Sequence, residues 1–298
     1  MRQRKRGFDT VLRCYDSDMA KERCPKEVAL RGVYHIEEHF DRYTVTETHI
    51  TENAAAVKMG RPIGKYVTVC LSPDALLYKD RENAIESHLV ALLRHSVPST
   101  AKRLLVVGLG NRRLTVDSIG PQVAEAVTAT SVLRATEAAH LLKGIRQISV
   151  LSPNVFGETG MEAAGLVKAA VSLTEADAVI AIDAMASATP QHLLRAIELT
   201  DTGTVPGAGI GNRRTPLSLQ TVGVPVTAIG VPTMMRAQAH LRRALRDFGV
   251  EAGKADDYAR QKDASLLLVP HGLDEGTVCL SHLIARSINT AFGLGPEA

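Results

Sequence analysis

The fold is decided by a short apolar run, Ala178-Val179-Ile180-Ala181-Ile182, which ends at Asp183. Five consecutive apolar residues predict a β-strand that is buried on both faces, as the strands of parallel sheets are. Three further apolar runs have the same character, and helical patterns alternate with them: 104–107, 148–151 and 226–231. Strands that alternate with helices predict an α/β fold, with a mostly parallel sheet flanked by helices on both faces.

Two of the predicted helices begin at recognisable signals. One opens near Gly120-Pro121, because proline is favoured in the first turn of a helix. Thr159 and Glu162 have the spacing of a capping box, which predicts that the helix after them starts there. The apolar face of that second helix combines five residues: Ala163, Leu166, Val167, Ala170 and Val171.

The two ends of the chain differ from its α/β core, which we place at about 101–250. Residues 1 to about 100 are rich in charge, and their β-rich runs at 43–50 and 65–70 predict an N-terminal β segment packed on the core. The C-terminal pattern predicts a helix, a polar connector and a terminal helix: about 233–248, 250–264 and 274–292.

Composition excludes several classes of protein. The 298 residues are 45% hydrophobic and 22% charged, which is typical of a globular protein. A net charge of +3 does not favour direct nucleic-acid binding, and no apolar run approaches the about 20 residues of a membrane helix. The basic N-terminus lacks the apolar stretch of a secretory signal, and the four cysteines form no CxxC pair. We therefore expect a cytoplasmic protein with reduced thiols.

Two aspartates are placed where a hydrolytic site is expected. Asp117 lies in the glycine-rich loop after the 104–107 strand, and Asp183 ends the 178–182 strand. Ligands of open α/β sheets collect beyond the carboxyl ends of the strands. Two close carboxylates cannot both ionise readily, so one keeps a proton while the other activates water. The structural alternative is that Asp117 caps a helix and Asp183 binds loop amides.

Other motifs give weaker indications. Gly108-Leu109-Gly110 follows a strand, but Arg113 occupies the third glycine position of a dinucleotide site, so no cofactor is expected. His35 and His39 match a zinc-peptidase pattern, H-x-x-E-H, but they lie in a predicted hairpin, so no metal is expected. Gly-Asn-Arg-Arg occurs at 110–113 and again at 211–214, which would let two arginine pairs hold an anionic partner.

Several motifs in the same order resemble those of the germination proteases, endopeptidases that degrade small acid-soluble spore proteins. The matching stretches are 106–111 with 115–121, Pro153 to Glu162, 181–186, 206–213 and 224–233. Weaker similarity extends from about Val11 to Gly293. One departure is Asn154, which stands where the family has glycine.

The resemblance implies a fold shared with hydrogenase-maturation proteases, of the phosphorylase/hydrolase-like type. It also implies a homotetramer that acts in the cytoplasm of the spore core and is made as a zymogen. The family's catalytic aspartates fall on Asp117 and Asp183. Members cut after an acidic residue that precedes a hydrophobic residue and alanine. Asp18-Met19-Ala20 has that form, so the resemblance predicts a propeptide over 1–18 and a single peptidase domain over 19–298.

Backbone amides in three loops are candidates for binding the substrate and the oxyanion, because glycine lets the backbone approach a ligand closely. These loops contain Gly108, Gly110, Asn111, Gly157, Thr159, Gly160, Gly207, Gly209 and Gly211. Two alternatives remain open. One is a metal-assisted peptidase of the maturation type, and the other is a non-catalytic paralogue whose arginines bind an acidic or nucleic-acid partner.

Overall fold

A computed structural model describes residues 4–5, 30–73, 75–76, 79–133, 144–208, 214–261 and 266–293. The predicted processing site, Asp18–Met19, lies outside these described residues, as do Gly209 and Gly211. The strands of the described part are β1 Arg4–Lys5, β2 Val33–His39, β3 Tyr43–Ile50, β4 Gly64–Leu71, β5 Arg103–Gly108, β6 Gln147–Leu151, β7 Ala178–Ala186, β8 Ala196–Thr200, β9 Val226–Arg236 and β10 Leu267–Leu268. Its helices are α1 Asn53–Met59, α2 Lys79–Ser96, α3 Ile119–Ala126, α4 Thr130–Leu133, α5 Phe156–Thr159, α6 Ala163–Thr174, α7 Leu219–Val222, α8 Ala237–Asp247, α9 Ala252–Gln261 and α10 Leu273–Phe292.

The four central strands predicted from apolar runs form one parallel group. They lie side by side in the order β6, β5, β7 and β9, and each neighbouring pair is parallel. Residues 178–182 of β7 are at most 1% exposed, as expected for a strand covered on both faces. The predicted α/β class is therefore confirmed.

Helices cover both faces of this central group. Ile180 and Ile182 of β7 belong to an apolar core that includes side chains of α2, α3 and α10. Val179 and Ala181 point to the opposite face, where they belong to a second core with α6 and α7. Side chains of a strand alternate between faces, so β7 contributes to both cores. No helix in the described ranges has the length and apolar character to cross a membrane.

The N-terminal β segment continues the central sheet instead of packing on it. The predicted strands at 43–50 and 65–70 are confirmed as β3 and β4. β2, β3 and β4 pair in antiparallel order, and β4 then pairs with β8, where Val69 lies opposite Ile197. Since β8 also pairs with β9, the sheet is parallel in its centre and antiparallel on the N-terminal side.

Two central strands are longer than the apolar runs indicated. β7 continues past Asp183, so this residue lies inside the strand and does not end it. β7 and β9 remain paired as far as Ala186 and Met234, and β10 pairs with the other edge of β9 at Met235. This pairing keeps the chain extended to Arg236, so the helix predicted from 233 begins only at α8.

The connector predicted over 250–264 contains helix α9. Ala255 and Ala259 lie one turn apart on α9 and are fully buried. Arg246 of α8 donates a hydrogen bond of 2.8 Å to Asp256, which ties the two helices together. The polar composition of 250–264 therefore did not indicate the short amphipathic helix α9. The predicted terminal helix is confirmed as α10.

The prediction of a capping box at Thr159 is wrong, although the helix predicted to follow it is present as α6. Gly160 adopts a left-handed conformation, with φ at +69°, and ends α5. The hydroxyl of Thr159 accepts a hydrogen bond from the amide of Met161 at 3.2 Å. Glu162 is the N-cap of α6 and makes no side-chain capping bond. The left-handed glycine turns the chain between Thr159 and α6, which separates the two halves of the predicted box.

A contact between two glycines places α3 against the end of β5. A Cβ atom on Gly108 would overlap the carbonyl oxygen of Gly120. Gly108→Ala should therefore lower the free energy of unfolding by about 1–3 kcal/mol, measured from urea unfolding midpoints. Gly165→Ala is the control, because a Cβ on this exposed glycine of α6 meets nothing within 4 Å. It should raise stability by about 0.5–1 kcal/mol, and equal midpoints for the two variants would contradict this account.

Candidate active site

The first of the two carboxylates, Asp183, lies one residue beyond the last pairing between β7 and β5. There β5 leaves the sheet, after the amide of Leu109 donates a hydrogen bond of 2.8 Å to the carbonyl of Ile182. On its other side β7 stays paired, with Asp183 opposite Gly230 of β9. Asp183 is 8% exposed, at the kind of split where ligands of open α/β sheets bind.

The second carboxylate, Asp117, ends a short 3-10 turn in the loop after β5. The loop wraps around it, since the amide of Asn111 donates a hydrogen bond of 2.9 Å to Asp117 Oδ2. Gly110 permits this wrap, because its φ is +114° and a Cβ there would overlap the Asp117 carbonyl oxygen. Thr233 of β9 holds the turn by donating a hydrogen bond of 2.6 Å to the carbonyl of Val116.

The helix-cap alternative for Asp117 is not what the structure shows. The N-cap of α3 is Ser118, and α3 has no side-chain capping bond. The Asp117 carboxylate instead accepts the amide of Asn111, which precedes it in the loop. Asp183 does accept a backbone hydrogen bond, from Ala184.

Asp117 and Asp183 line one cavity of about 380 Å³, which we call the first cavity. Burial raises the pKa of Asp117 to about 6, although the hydrogen bond from Asn111 opposes the shift. Burial, and then the charge of Asp117, raise the pKa of Asp183 to about 8. The two carboxylates therefore interact, and near neutral pH the pair holds a single proton, located mainly on Asp183.

The outer wall of the first cavity is the segment around α5. Asn154 adopts a left-handed conformation with φ at +62°, which asparagine tolerates better than most residues. Glu158 ties this segment to the Asp117 loop, because it accepts hydrogen bonds from Asn111 at 2.9 Å and from Asn154 at 2.6 Å. On the other side of α5, the Arg214 guanidinium lies 4.4 Å from the Phe156 ring centroid.

A second cavity of about 330 Å³ adjoins the first. The two cavities share Asp183, Ala184, Ala186 and Gly207. Asp183 thus lies where the two cavities meet, and we call the two together the groove. The polar residues that line the second cavity but not the first include Arg61, Tyr66 and Glu198.

Comparison with known proteins identifies a peptidase family that this chain matches. The family model of the germination proteases matches residues 15–263, most of the chain. This chain belongs to the germination protease family.

Two relatives show how far the similarity extends. The germination protease of Caldanaerobacter subterraneus is 36% identical over 236 residues, which cover 78% of this chain and 70% of the relative. That of Bacillus cytotoxicus is 32% identical over 280 residues, which cover 91% and 74%. Among solved structures, a nickel–iron hydrogenase maturation protease from Thermococcus kodakarensis has 16% identity and a TM-score of 0.35, over 66% of this chain and 99% of its own. Membership of the germination protease family makes the chain a peptidase.

Of the loop residues predicted to bind substrate in this germination protease, some line the first cavity and others do not. Gly110, Asn111, Gly157 and Gly207 line the first cavity. Gly108 lies under α3 and packs against Gly120, so its close approach serves the fold. Thr159 and Gly160 form the end of α5 and do not line either cavity.

The described structure shows the surroundings of the other motifs, except Arg213, which lies outside the described residues. His35 and His39 lie on strand β2 rather than on a helix, and the described residues contain no group of three or more potential metal ligands. Arg112 faces Glu125, with 2.9 Å between Nε and Oε1, and Arg214 faces Glu162 at 3.3 Å. Burial raises the pKa of the Cys70 and Cys279 thiols, which disfavours a role as nucleophile.

Sequence reasoning did not find the polar residues of the second cavity. Glu198 comes from the short strand β8, and Arg61 follows α1, more than 130 residues earlier in the chain. They meet because β4 pairs with β8. No local motif connects them, and the only indication was a single carboxylate inside the apolar run Ala196-Ile197-Glu198-Leu199.

The Asp117 loop gives a test of how closely the site depends on backbone geometry. Gly110→Ala introduces both a disfavoured φ and an overlap with Asp117, so peptide hydrolysis should fall about 10²-fold, measured as kcat/KM. Gly160→Ala is the matched control, because Gly160 also has a positive φ but a Cβ there meets nothing within 4 Å. It should keep nearly all activity. A similar loss in both variants would show that backbone strain alone is responsible.

Proposed function

We propose that this protein is the endopeptidase that starts the degradation of small acid-soluble spore proteins during germination, in the cytoplasm of the spore core. It cuts after an acidic residue that precedes a hydrophobic residue and alanine. As the resemblance to the family implies, it is a homotetramer. It is made as a zymogen, which loses residues 1–18 by cleavage between Asp18 and Met19. The observation that carries the catalytic part is a pair of carboxylates on one cavity, the partly buried Asp117 and the buried Asp183.

The proposed reaction is hydrolysis by a water molecule held between the two carboxylates. Asp117, which has the lower pKa, is the base and takes a proton from the water as it attacks the scissile carbonyl. Asp183, which has the higher pKa, is the acid and donates its proton to the leaving amine. After the reaction Asp117 holds a proton and Asp183 has lost one. Proton exchange with solvent then restores ionised Asp117 and protonated Asp183.

Two loops are our candidates for stabilising the developing negative charge in this mechanism. The backbone at Gly157 and at Gly207 lines the first cavity, and neither position carries a side chain that would hold a substrate carbonyl away. Fixed amide donors of this kind stabilise the tetrahedral intermediate of acyl transfer. No observation in the described structure favours the metal-assisted alternative, since two carboxylates alone are a small ligand set for a transition metal.

The pH dependence of hydrolysis tests the assignment of base and acid. Activity should rise as pH passes about 6, because Asp117 must lose its proton. It should fall as pH passes about 8, because Asp183 must keep its proton. We expect a bell-shaped profile of kcat/KM, measured with a spore-protein-like peptide that contains Glu-Ile-Ala. A profile with no decline between pH 7 and 10 would contradict the acid role of Asp183.

Single substitutions test whether both carboxylates are needed. Asp117→Asn and Asp183→Asn should each lower hydrolysis roughly 10²- to 10⁴-fold, because each removes one proton-transfer step. The fold should remain, since a neutral amide resembles a protonated carboxyl in size and polarity, and far-ultraviolet circular dichroism checks this. N-terminal sequencing should find Met1 retained in both variants after the unmodified protein has lost its first 18 residues. Full turnover in either variant would refute the paired mechanism.

A further inference from the structure

The floor of the second cavity connects the catalytic Asp183 to a buried glutamate. Asp183 of β7 and Glu198 of β8 both lie opposite Gly230 of β9, so their side chains point to the same face of the sheet. Two strand spacings separate their Cα atoms by roughly 10 Å. Met185 covers the space between them, because a Cβ on Gly230 would overlap its sulfur atom. The floor is therefore apolar in the middle and carries an acid at each end.

Arg61 adds a positive charge beyond Glu198. Its guanidinium lies 4.0 Å from Glu198 Oε2 and 5.1 Å from the centroid of the Tyr66 ring. The Arg61 side chain is 23% exposed and the Glu198 side chain 17% exposed. Within the described part of the chain, the Arg61 guanidinium makes no hydrogen bond shorter than this ion pair. The long ion pair with Glu198 and the ring of Tyr66 therefore orient the five N–H donors of the Arg61 guanidinium.

The charge of Arg61 is only partly compensated. Burial raises the pKa of Glu198, and the nearby Arg61 opposes that shift. At 4.0 Å the ion pair with Glu198 is longer than a hydrogen bond, so among the described residues Glu198 does not use the N–H donors of the guanidinium. By contrast, Arg214 in the first cavity is engaged by Glu162 and by the ring of Phe156.

We propose that Arg61 is a specificity-determining residue, which binds an acidic side chain of the peptide substrate at the end of the second cavity. This inference rests on the proposed function and assigns a residue to its preference for an acidic residue. The main chain of the substrate crosses Asp117 and Asp183, and the side chain before the scissile bond passes over Met185. The planar guanidinium then donates two parallel hydrogen bonds to the carboxylate. Glu198 and Tyr66 hold the guanidinium in place.

The test compares three peptides that differ only in the residue before the cleaved bond: Glu-Ile-Ala, Gln-Ile-Ala and Lys-Ile-Ala. The unmodified protein should prefer the Glu peptide to the Gln peptide in kcat/KM. Arg61→Gln should remove roughly 30-fold or more of the rate on the Glu peptide and leave the rate on the Gln peptide nearly unchanged. Arg61→Glu should invert the preference, so that the Lys peptide becomes the best substrate.

Two further variants separate charge from folding. Arg61→Lys keeps the charge without the planar fork, so it should still prefer the Glu peptide, by a smaller ratio. Arg31→Glu is the matched control, because Arg31 is exposed and its ion pair with Glu52 lies outside both cavities. It should leave all three ratios unchanged. If Arg61→Gln and Arg61→Lys both keep the full preference for glutamate, the role of Arg61 is refuted while the proposed function stands. If the unmodified protein cuts none of the peptides, the proposed function itself fails.

Discussion

The candidate active site depends on the burial of two carboxylates, Asp183 completely and Asp117 in part, and on the repulsion between them. Asp183 is part of strand β7, in which the preceding residues 178–182 are at most 1% exposed, so the buried sheet holds its backbone in place. Asp117 is fixed by the amide of Asn111 and by the turn that Thr233 holds. The pair responds to its own charge by retaining a proton. A shared proton beside an open cavity is what acid–base hydrolysis requires.

Much of this site could be predicted from the sequence because its signals are local. An apolar run that stops at Asp183, and a glycine-rich loop that contains Asp117, place both carboxylates at the carboxyl ends of neighbouring parallel strands. The topology then brings them together without further information. The parallel strands were predicted for the same reason, since a fully buried strand has an unbroken apolar composition.

The parts that could not be predicted depend on contacts between distant segments. β9 stays extended to Arg236 because β10 pairs with it from residues 267–268, and no pattern near 233 records that pairing. The spacing of Thr159 and Glu162 suits a capping box, but Gly160 turns the chain between them. The second cavity is the clearest case, since Arg61 and Glu198 meet only through the pairing of β4 with β8. Sequence periodicity predicts which face of an element is buried but not which element covers it.

In the function that we propose, the antiparallel half of the sheet contributes to specificity and the parallel half carries the acid–base pair. Burial acts on both acids of the second cavity, because it raises the pKa of Glu198 as it raises that of Asp183. Each raised pKa weakens the folded state as pH increases from the ordinary range of a carboxyl towards the folded value, since the unfolded chain releases those protons first. Apolar packing offsets this loss: residues 178–182 of β7 and the apolar residues 104–107 of β5 are at most 1% exposed, and the contact of Gly108 with Gly120 sets α3 directly on β5. The packing of the core and the raised pKa values are therefore linked. A looser sheet would admit water and lower the pKa values of Asp183 and Glu198. Asp183 would then hold no proton for the leaving amine.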